Sequence, residues 1–350
     1  VEVAYPVDNR KEISMNTQLL TQKIFKALSR VVFFLLILAI VGTIYQTAAT
    51  EADKKNFPPP GNLIDVGGFK MHIYCMGEGS PTVILEALSG GFSSFWGWIQ
   101  PEVAKQVRVC AYDRAGFGWS ENDPEPESLQ RTVQNLHTLL KNAGIEGPFV
   151  LVGHSIGGLY VREYAALYPQ EVVGMVLLDS SHPDQFARYP EMSKTDPTLT
   201  WMPLTQIIVR LGIGHALFAI GGGKNLSRVS LGGVLPPRQH NEIAAIFMTQ
   251  EYWHNQKIHL LLQPEIFQQA HGLGSLGDIP LAIVTRGIDV PDSWIELQNE
   301  LAALSPNSIH ITVEGSTHTS LIANSGHAQV VGQTILQVVD AVQTGKRLTP

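Results

Sequence analysis

The segment "VLVGHSIGG" sets Gly153, Ser155 and Gly157 in the spacing G-x-S-x-G. An apolar run leads into it and a helical pattern, "GLYVREYAALYP", leaves it. That strand-turn-helix context is what a nucleophile elbow needs. Small residues at 153 and 157 let a sharp turn pack closely, so that Ser155 projects its hydroxyl from the bend. A serine hydroxyl is a poor nucleophile until a base takes its proton. The segment "ITVEGSTHTSLI" supplies His318 for that task in the loop after the last expected strand, whereas His327 falls in a helical pattern and reads as a surface or capping residue. Two aspartates could orient the imidazole: Asp179, ending the sixth expected strand, and Asp289, following the seventh. Sequence does not place either carboxylate against the ring, so both stand as alternatives. A tetrahedral oxyanion needs donors. The backbone N–H of Ile156 is one candidate and that of Ser89, in "EALSGGFSS", is the other. His154 reads as a support for the pocket. Glu86 either braces the Ser89 loop or sits on a solvated edge.

These residues must be positioned by a scaffold, and the pattern from residue 62 onward supplies one. Short apolar runs rich in β-branched residues alternate with helical patterns, as in an α/β layer structure. The expected strands are "NLIDVG", "KMHIYCMG", "TVILEA", "VRVCAYD", "FVLVGHS", "GMVLLDS", "LAIVTRG" and "IHITVEG". Little polar alternation after the first two predicts central parallel strands. Residues 184–276 interrupt the alternation with apolar helical runs and read as an inserted helical cap. The α/β core is then split into 62–183 and 277–350.

The N-terminal part reads differently. A basic segment, 1–30, carries Lys23, Lys26 and Arg30 ahead of the uncharged run that opens "VVFFLLILAIVG". About 19 residues, 31–49, are long enough to cross a bilayer. The basic side is expected to stay cytoplasmic, with the bulk of the chain outside the cytoplasm. A cleaved signal segment, giving a secreted protein, is the competing reading. Met15 opens a natural leading segment and is the expected start of translation. Residues 50–61, charged and then proline-rich, read as a linker.

Composition narrows the function classes. The chain has 350 residues, 44% of them hydrophobic, and its 24 basic against 31 acidic residues leave a net charge of -7. No basic footprint points to nucleic acid. Cys75 and Cys110, the two cysteines, form no metal-ligand cluster, and buried free thiols are the expectation for them.

Taken in order, "GGFKMHIYCMGEGSPTVILEA", "VCAYDRAGFGWS", "FVLVGHSIGG", "VVGMVLLDSSHP" and "EGSTHTS" resemble the cap-bearing α/β-hydrolase superfamily over about residues 62–343. The resemblance implies an α/β-hydrolase fold: a mostly parallel eight-stranded sheet with an inserted helical cap. It supports Ser155, His318 and the Ile156 amide, and gives Asp113 and Arg114 a shaping role. The superfamily's usual acid follows strand seven, but Asp289 lies one residue short of that spacing, so the resemblance leans slightly to Asp179. Leu88 stands where relatives often carry glycine, which bears on the geometry at Ser89. Serine at the elbow sets the chain apart from the related dehalogenases and epoxide hydrolases, which use aspartate there. The implied activity is that of a serine esterase or lipase cleaving a carboxylic ester through an acyl-enzyme, with no metal or organic cofactor required. A small hydrophobic acyl substrate, membrane contact through the N-terminal helix and no nucleic-acid or specific protein partner are the accompanying expectations. An amidase or aminopeptidase of the same fold, and a non-enzymatic protein binding a small ligand, are the alternatives.

Overall fold

The computed structural model describes residues 9–189, 197–219 and 234–349. An eight-stranded sheet forms its centre, in the order β1-β2-β4-β3-β5-β6-β7-β8. The strands are β1 (Asn62–Asp65), β2 (Lys70–Met76), β3 (Thr82–Glu86), β4 (Val109–Tyr112), β5 (Phe149–His154), β6 (Val172–Leu178), β7 (Leu281–Arg286) and β8 (Ser308–Val313). Only β1 on β2 and β2 on β4 pair antiparallel; every other neighbour is parallel. The central strands carry apolar side chains on both faces because helices cover both faces. Ile84, Leu151 and Leu177 point to one core with Leu136, Leu159 and Tyr164, while Val83, Val152 and Val176 point to the other with Trp96, Ile335 and Val338. Successive residues of one strand therefore feed opposite cores, as the pleat requires.

The helices follow from their own patterns. Helix α1 spans Asn9–Asn56. Helix α2 (Ile99–Val103) follows a 3-10 turn, Ser93–Trp96, and α3 spans Leu129–Asn142. In α3, Leu129, Val133, Leu136 and Leu140 recur at helical spacing and are buried, and the Ser128 hydroxyl caps the first turn by accepting from Arg131 N–H. Helix α4 (Gly157–Leu167) leaves β5. The helices that follow β6 are α5 (Gln185–Arg188), α6 (Pro197–Arg210), α7 (Ile213–Leu217), α8 (Pro237–Phe247) and α9 (Gln250–Ala270). They form the inserted helical cap. Beyond it come α10 (Asp292–Ala302), α11 (Ser320–Ala323) and α12 (Ser325–Thr344).

Two features differ from the sequence reading. The stretch "EADKKN" continues α1 to Asn56 instead of starting a linker. Its residues suit a helix, and the stop comes only at Pro58, Pro59 and Pro60. The cysteines are also not free thiols: Cys75 and Cys110 form a disulfide. They sit directly opposite each other in the antiparallel β2–β4 register, with Cα atoms 4.0 Å apart. Register across two strands that are not sequence neighbours was the missing information.

The bridge closes a segment with a sequence separation of 35, which restricts the unfolded chain. Replacing both cysteines by alanine is expected to cost about 2–4 kcal/mol in guanidinium unfolding. Alkylation of the unfolded chain should label neither cysteine without reductant and both with it.

Candidate functional site

The sheet's central strand delivers the first residue of the site. All of β5 is buried, and Ser155 follows it with φ 59°. A non-glycine residue holds that left-handed conformation only where its surroundings fix it. Here Ser155 N–H donates to the Leu178 carbonyl at 3.0 Å, and the Ser155 carbonyl accepts from Gly158 at 3.0 Å and Ser181 at 2.9 Å. The turn is tight enough to need glycine on both sides. A Cβ on Gly153 would come within 2.7 Å of Gly157 backbone, and one on Gly157 within 2.7 Å of the Glu86 carbonyl oxygen. Ile156 sits at the start of α4, where amides lack intrahelical acceptors.

The second part of the site is a buried carboxylate at the end of β6. Asp179 is fully buried, with φ 40°. Its Oδ2 accepts from His318 Nδ1 at 2.6 Å and from Arg286 at 2.6 Å, while Oδ1 accepts from Trp294 Nε1 at 2.7 Å. Burial alone would raise its pKa. The hydrogen bond and charge of His318, with those of Arg286, outweigh that and hold the carboxyl well below the usual range. Asp289 is exposed two positions beyond Gly287, and its backbone carbonyl accepts from Arg286. Among the described residues, Asp179 is the carboxylate paired with His318. With Nδ1 engaged, the Nε2 of His318 is the nitrogen left for a nucleophile. The ring lies beside that of His154, centroids 4.7 Å apart, and thus next to the elbow.

Ser89 lies in the loop after β3, and this loop is held from below and above. Below it, Arg114 donates to the carbonyls of Ala87 and Leu88, at 2.7 Å each, and pairs with buried Glu86. Tyr112 hydroxyl also donates to Glu86. Burial works against the Arg114 charge, but Glu86, Tyr160, Tyr112 and Glu127 together outweigh that and raise the guanidinium pKa. From above, Gln256 and Gln263 of α9 donate to the Ser89 hydroxyl at 3.3 and 3.1 Å, and Tyr252 hydroxyl donates to the Gly90 carbonyl at 3.3 Å. The cap therefore touches the loop expected to receive an oxyanion. Sequence reasoning missed Trp294, Arg286, Tyr252, Gln256 and Gln263. Arg286, a charge at the end of an apolar strand, was a usable signal; the others carry no pattern.

A second Ser-His-Asp grouping lies at the opposite edge of this loop. His72 Nδ1 is 3.0 Å from Asp113 Oδ2 and 3.4 Å from the Ser93 hydroxyl. Serine and aspartate thus share one ring nitrogen, while Nε2 accepts the Gly61 N–H at 3.1 Å. A proton relay needs them on different nitrogens. His72 and Asp113 are fully buried, and Asp113 also accepts from the amides of Ser93 and Trp119. This grouping ties β2, β4 and the segment before β1 together.

His154 has a measurable consequence. It is fully buried, and its Nε2–H donates to the His318 carbonyl at 3.0 Å. Burial, then the neighbouring His318 charge, lowers its pKa from 6.5 to about 3. Between those values the unfolded chain binds a proton that the folded one does not. His154 therefore favours folding fully above about pH 6.5, and that contribution fades as pH falls toward 3. At pH 5 the loss is about 2 kcal/mol. In His154→Gln, the stability difference between pH 7 and pH 5, measured by denaturant titration, is expected to shrink by about that amount.

The chain matches the model of the family with the alpha/beta hydrolase fold over residues 81–325. An uncharacterized protein of Schizosaccharomyces pombe is 24% identical over 277 residues, covering 76% of this chain and 48% of that protein. The chain spans about half the length, or less, of the first curated relatives it matches. A serine hydrolase involved in carbazole degradation is similar in structure, with TM-score 0.56 and 18% identity over 80% of this chain and 98% of that one. So is a thermophilic esterase from Thermogutta terrifontis, with TM-score 0.54 and 16% identity over 78% and 94%. Both likenesses are to the fold. With the family match covering most of its length, the chain belongs to the α/β-hydrolase family.

Proposed function

We propose that the chain is a serine hydrolase that cleaves a carboxylic ester through an acyl-enzyme intermediate. The observation that carries this reading is the 2.6 Å pair of buried Asp179 and His318, set beside the strained elbow of Ser155. In this reading Ser155 attacks the acyl carbonyl while His318 Nε2 takes its proton. Asp179 holds the imidazole by Nδ1 and stabilises its charged form. Asp289, exposed on its loop, has no part in the chemistry. The amides of Ile156 and Ser89 receive the oxyanion, with Arg114 fixing the carbonyls before Ser89. His318 then protonates the departing alcohol and activates the water that releases the acid.

The wider setting follows the same logic. Helix α1 is long and apolar enough, near the N-terminus, to cross a membrane. We read residues 31–49 as the crossing, with Lys23, Lys26 and Arg30 on the cytoplasmic side. The hydrolase domain then lies outside the cytoplasm, where an oxidising compartment suits the Cys75–Cys110 bridge. In the cap, read as residues 184–276, helix α9 reaches the Ser89 loop, and the apolar character of the cap's sequence suits a small hydrophobic acyl substrate.

The test is labelling with a fluorophosphonate followed by peptide mapping. A single adduct on Ser155 is expected, absent in Ser155→Ala. Asp179→Asn should slow labelling by roughly 10²–10⁴-fold, and Asp289→Asn by less than about twofold, because surface changes usually act weakly. Ser93→Ala should label like the parent. An adduct on Ser93, or none on folded protein with an open site, would overturn the proposal.

A further inference from the structure

We propose that one face of the cap, built on α6 and α7, is a bilayer-binding surface sunk into the same leaflet from which α1 emerges. The proposal rests on the reading of α1 as the membrane crossing.

The argument begins where α1 meets the cap. Gly42 lies so close to the Leu211 carbonyl that a Cβ there would collide with it, and Gly212 packs against Tyr45. Gly212 has φ 69°, the turn that separates α6 from α7. Just above this contact, Gln46 reaches out of the helix. It donates to the Met248 carbonyl, and its Oε1 pairs with His215 Nδ1 at 2.8 Å. The other ring nitrogen, Nε2, is 2.9 Å from Asp53 Oδ2. His215 and Gln46 are buried. These partners hold α1 to the cap by more than its connection to β1.

Depth follows from helix geometry. Gly42 precedes Ala49, the last residue of the apolar run, by about 10 Å at 1.5 Å per residue. The α6–α7 corner is therefore drawn below the end of the crossing segment, into the leaflet. A cap segment at that depth must present apolar side chains outward and leave few polar groups unpaired. Both conditions hold. Trp201, Leu204 and Ile207, spaced by three along α6, are 65%, 50% and 55% exposed. Ile213 and Leu217 extend the patch along α7. The polar side chains at the contact are paired: His215 with Gln46 and Asp53, and the Gln46 amide with the Met248 carbonyl. A tryptophan at the rim of such a patch suits the bilayer interface. Arg210, exposed at the end of α6, can reach the headgroups by its long stem.

The occupant is thus a phospholipid leaflet, and the geometry links it to the site. Helix α6 packs against α9, which carries the side chains that touch Ser89 and Gly90. A hydrophobic acyl substrate would then reach the cap from the lipid side.

The experiment uses the full chain in phosphatidylcholine vesicles, compared with vesicles whose phosphatidylcholine is brominated near the top of its acyl chains. Bromine quenches tryptophan only on contact. The expected result is a bromolipid-dependent loss of emission in the parent that is smaller in Trp201→Phe, a change that keeps the patch apolar. Membrane integration of the same samples is scored by resistance to alkaline carbonate. Integrated protein with equal quenching in parent and Trp201→Phe would overturn the surface while leaving the anchor standing. Protein extracted by carbonate would overturn the anchor, and this proposal with it. Leu204→Ser/Ile207→Ser gives a second reading: Trp201 quenching should fall while α1 stays integrated.

Discussion

The buried charge of Asp179 is the constraint around which the rest of the site is arranged. A carboxylate removed from water is costly unless paired and hydrogen-bonded. Four elements meet that demand at one point: β6 carries the group, β7 contributes Arg286, α10 contributes Trp294, and the loop after β8 contributes His318. The interaction also fixes the imidazole. With Asp179 on Nδ1 and Arg286 on the same carboxylate oxygen, the ring cannot turn without leaving a buried charge short of a partner. Orientation of the imidazole is thus a by-product of satisfying the carboxylate. His154, held neutral beneath the ring, donates to the His318 carbonyl and keeps the loop at its height.

The same principle operates across the elbow. Arg114 is buried and charged, and it is satisfied by Glu86 and by two successive carbonyls of the loop after β3. Carbonyls drawn down onto a guanidinium leave the following amides free to face the other way. That is the orientation an oxyanion donor at Ser89 needs. The cap completes the enclosure through Tyr252, Gln256 and Gln263. Polar side chains from the inserted cap thereby share in holding a loop that the sheet alone would leave half supported.

What the sequence could disclose follows from how local each feature is. The elbow is local: strand, turn and helix are contiguous, and the glycines at 153 and 157 answer to clashes within a few residues. The strands were legible for the same reason, and His318 was singled out by its place after the last of them. The pairing of Asp179 was not legible. It depends on where β6 and β7 end relative to each other, a register no local pattern encodes. Cys75 and Cys110 were misjudged on that ground too, since adjacent strands bring two cysteines opposite each other only in the right register. The residues of α9 that reach the Ser89 loop, Tyr252, Gln256 and Gln263, carry no pattern of their own until the cap is folded over that loop.

The two Ser-His-Asp groupings make the same point from the opposite side. Residue types and proximity are alike in both, and the difference lies in which ring nitrogen each partner engages. Around His72, aspartate and serine converge on Nδ1 and a backbone amide takes Nε2, so both ring nitrogens are committed to holding strands together. Around His318, the aspartate takes Nδ1 from a fully buried position, while the imidazole is itself about one-third exposed beside the elbow. Only the second arrangement leaves the other ring nitrogen without a partner among the described residues. A histidine becomes a base when its other nitrogen is anchored and this one is left unengaged. The fold supplies that asymmetry by burying Asp179 and leaving the loop of His318 at the surface.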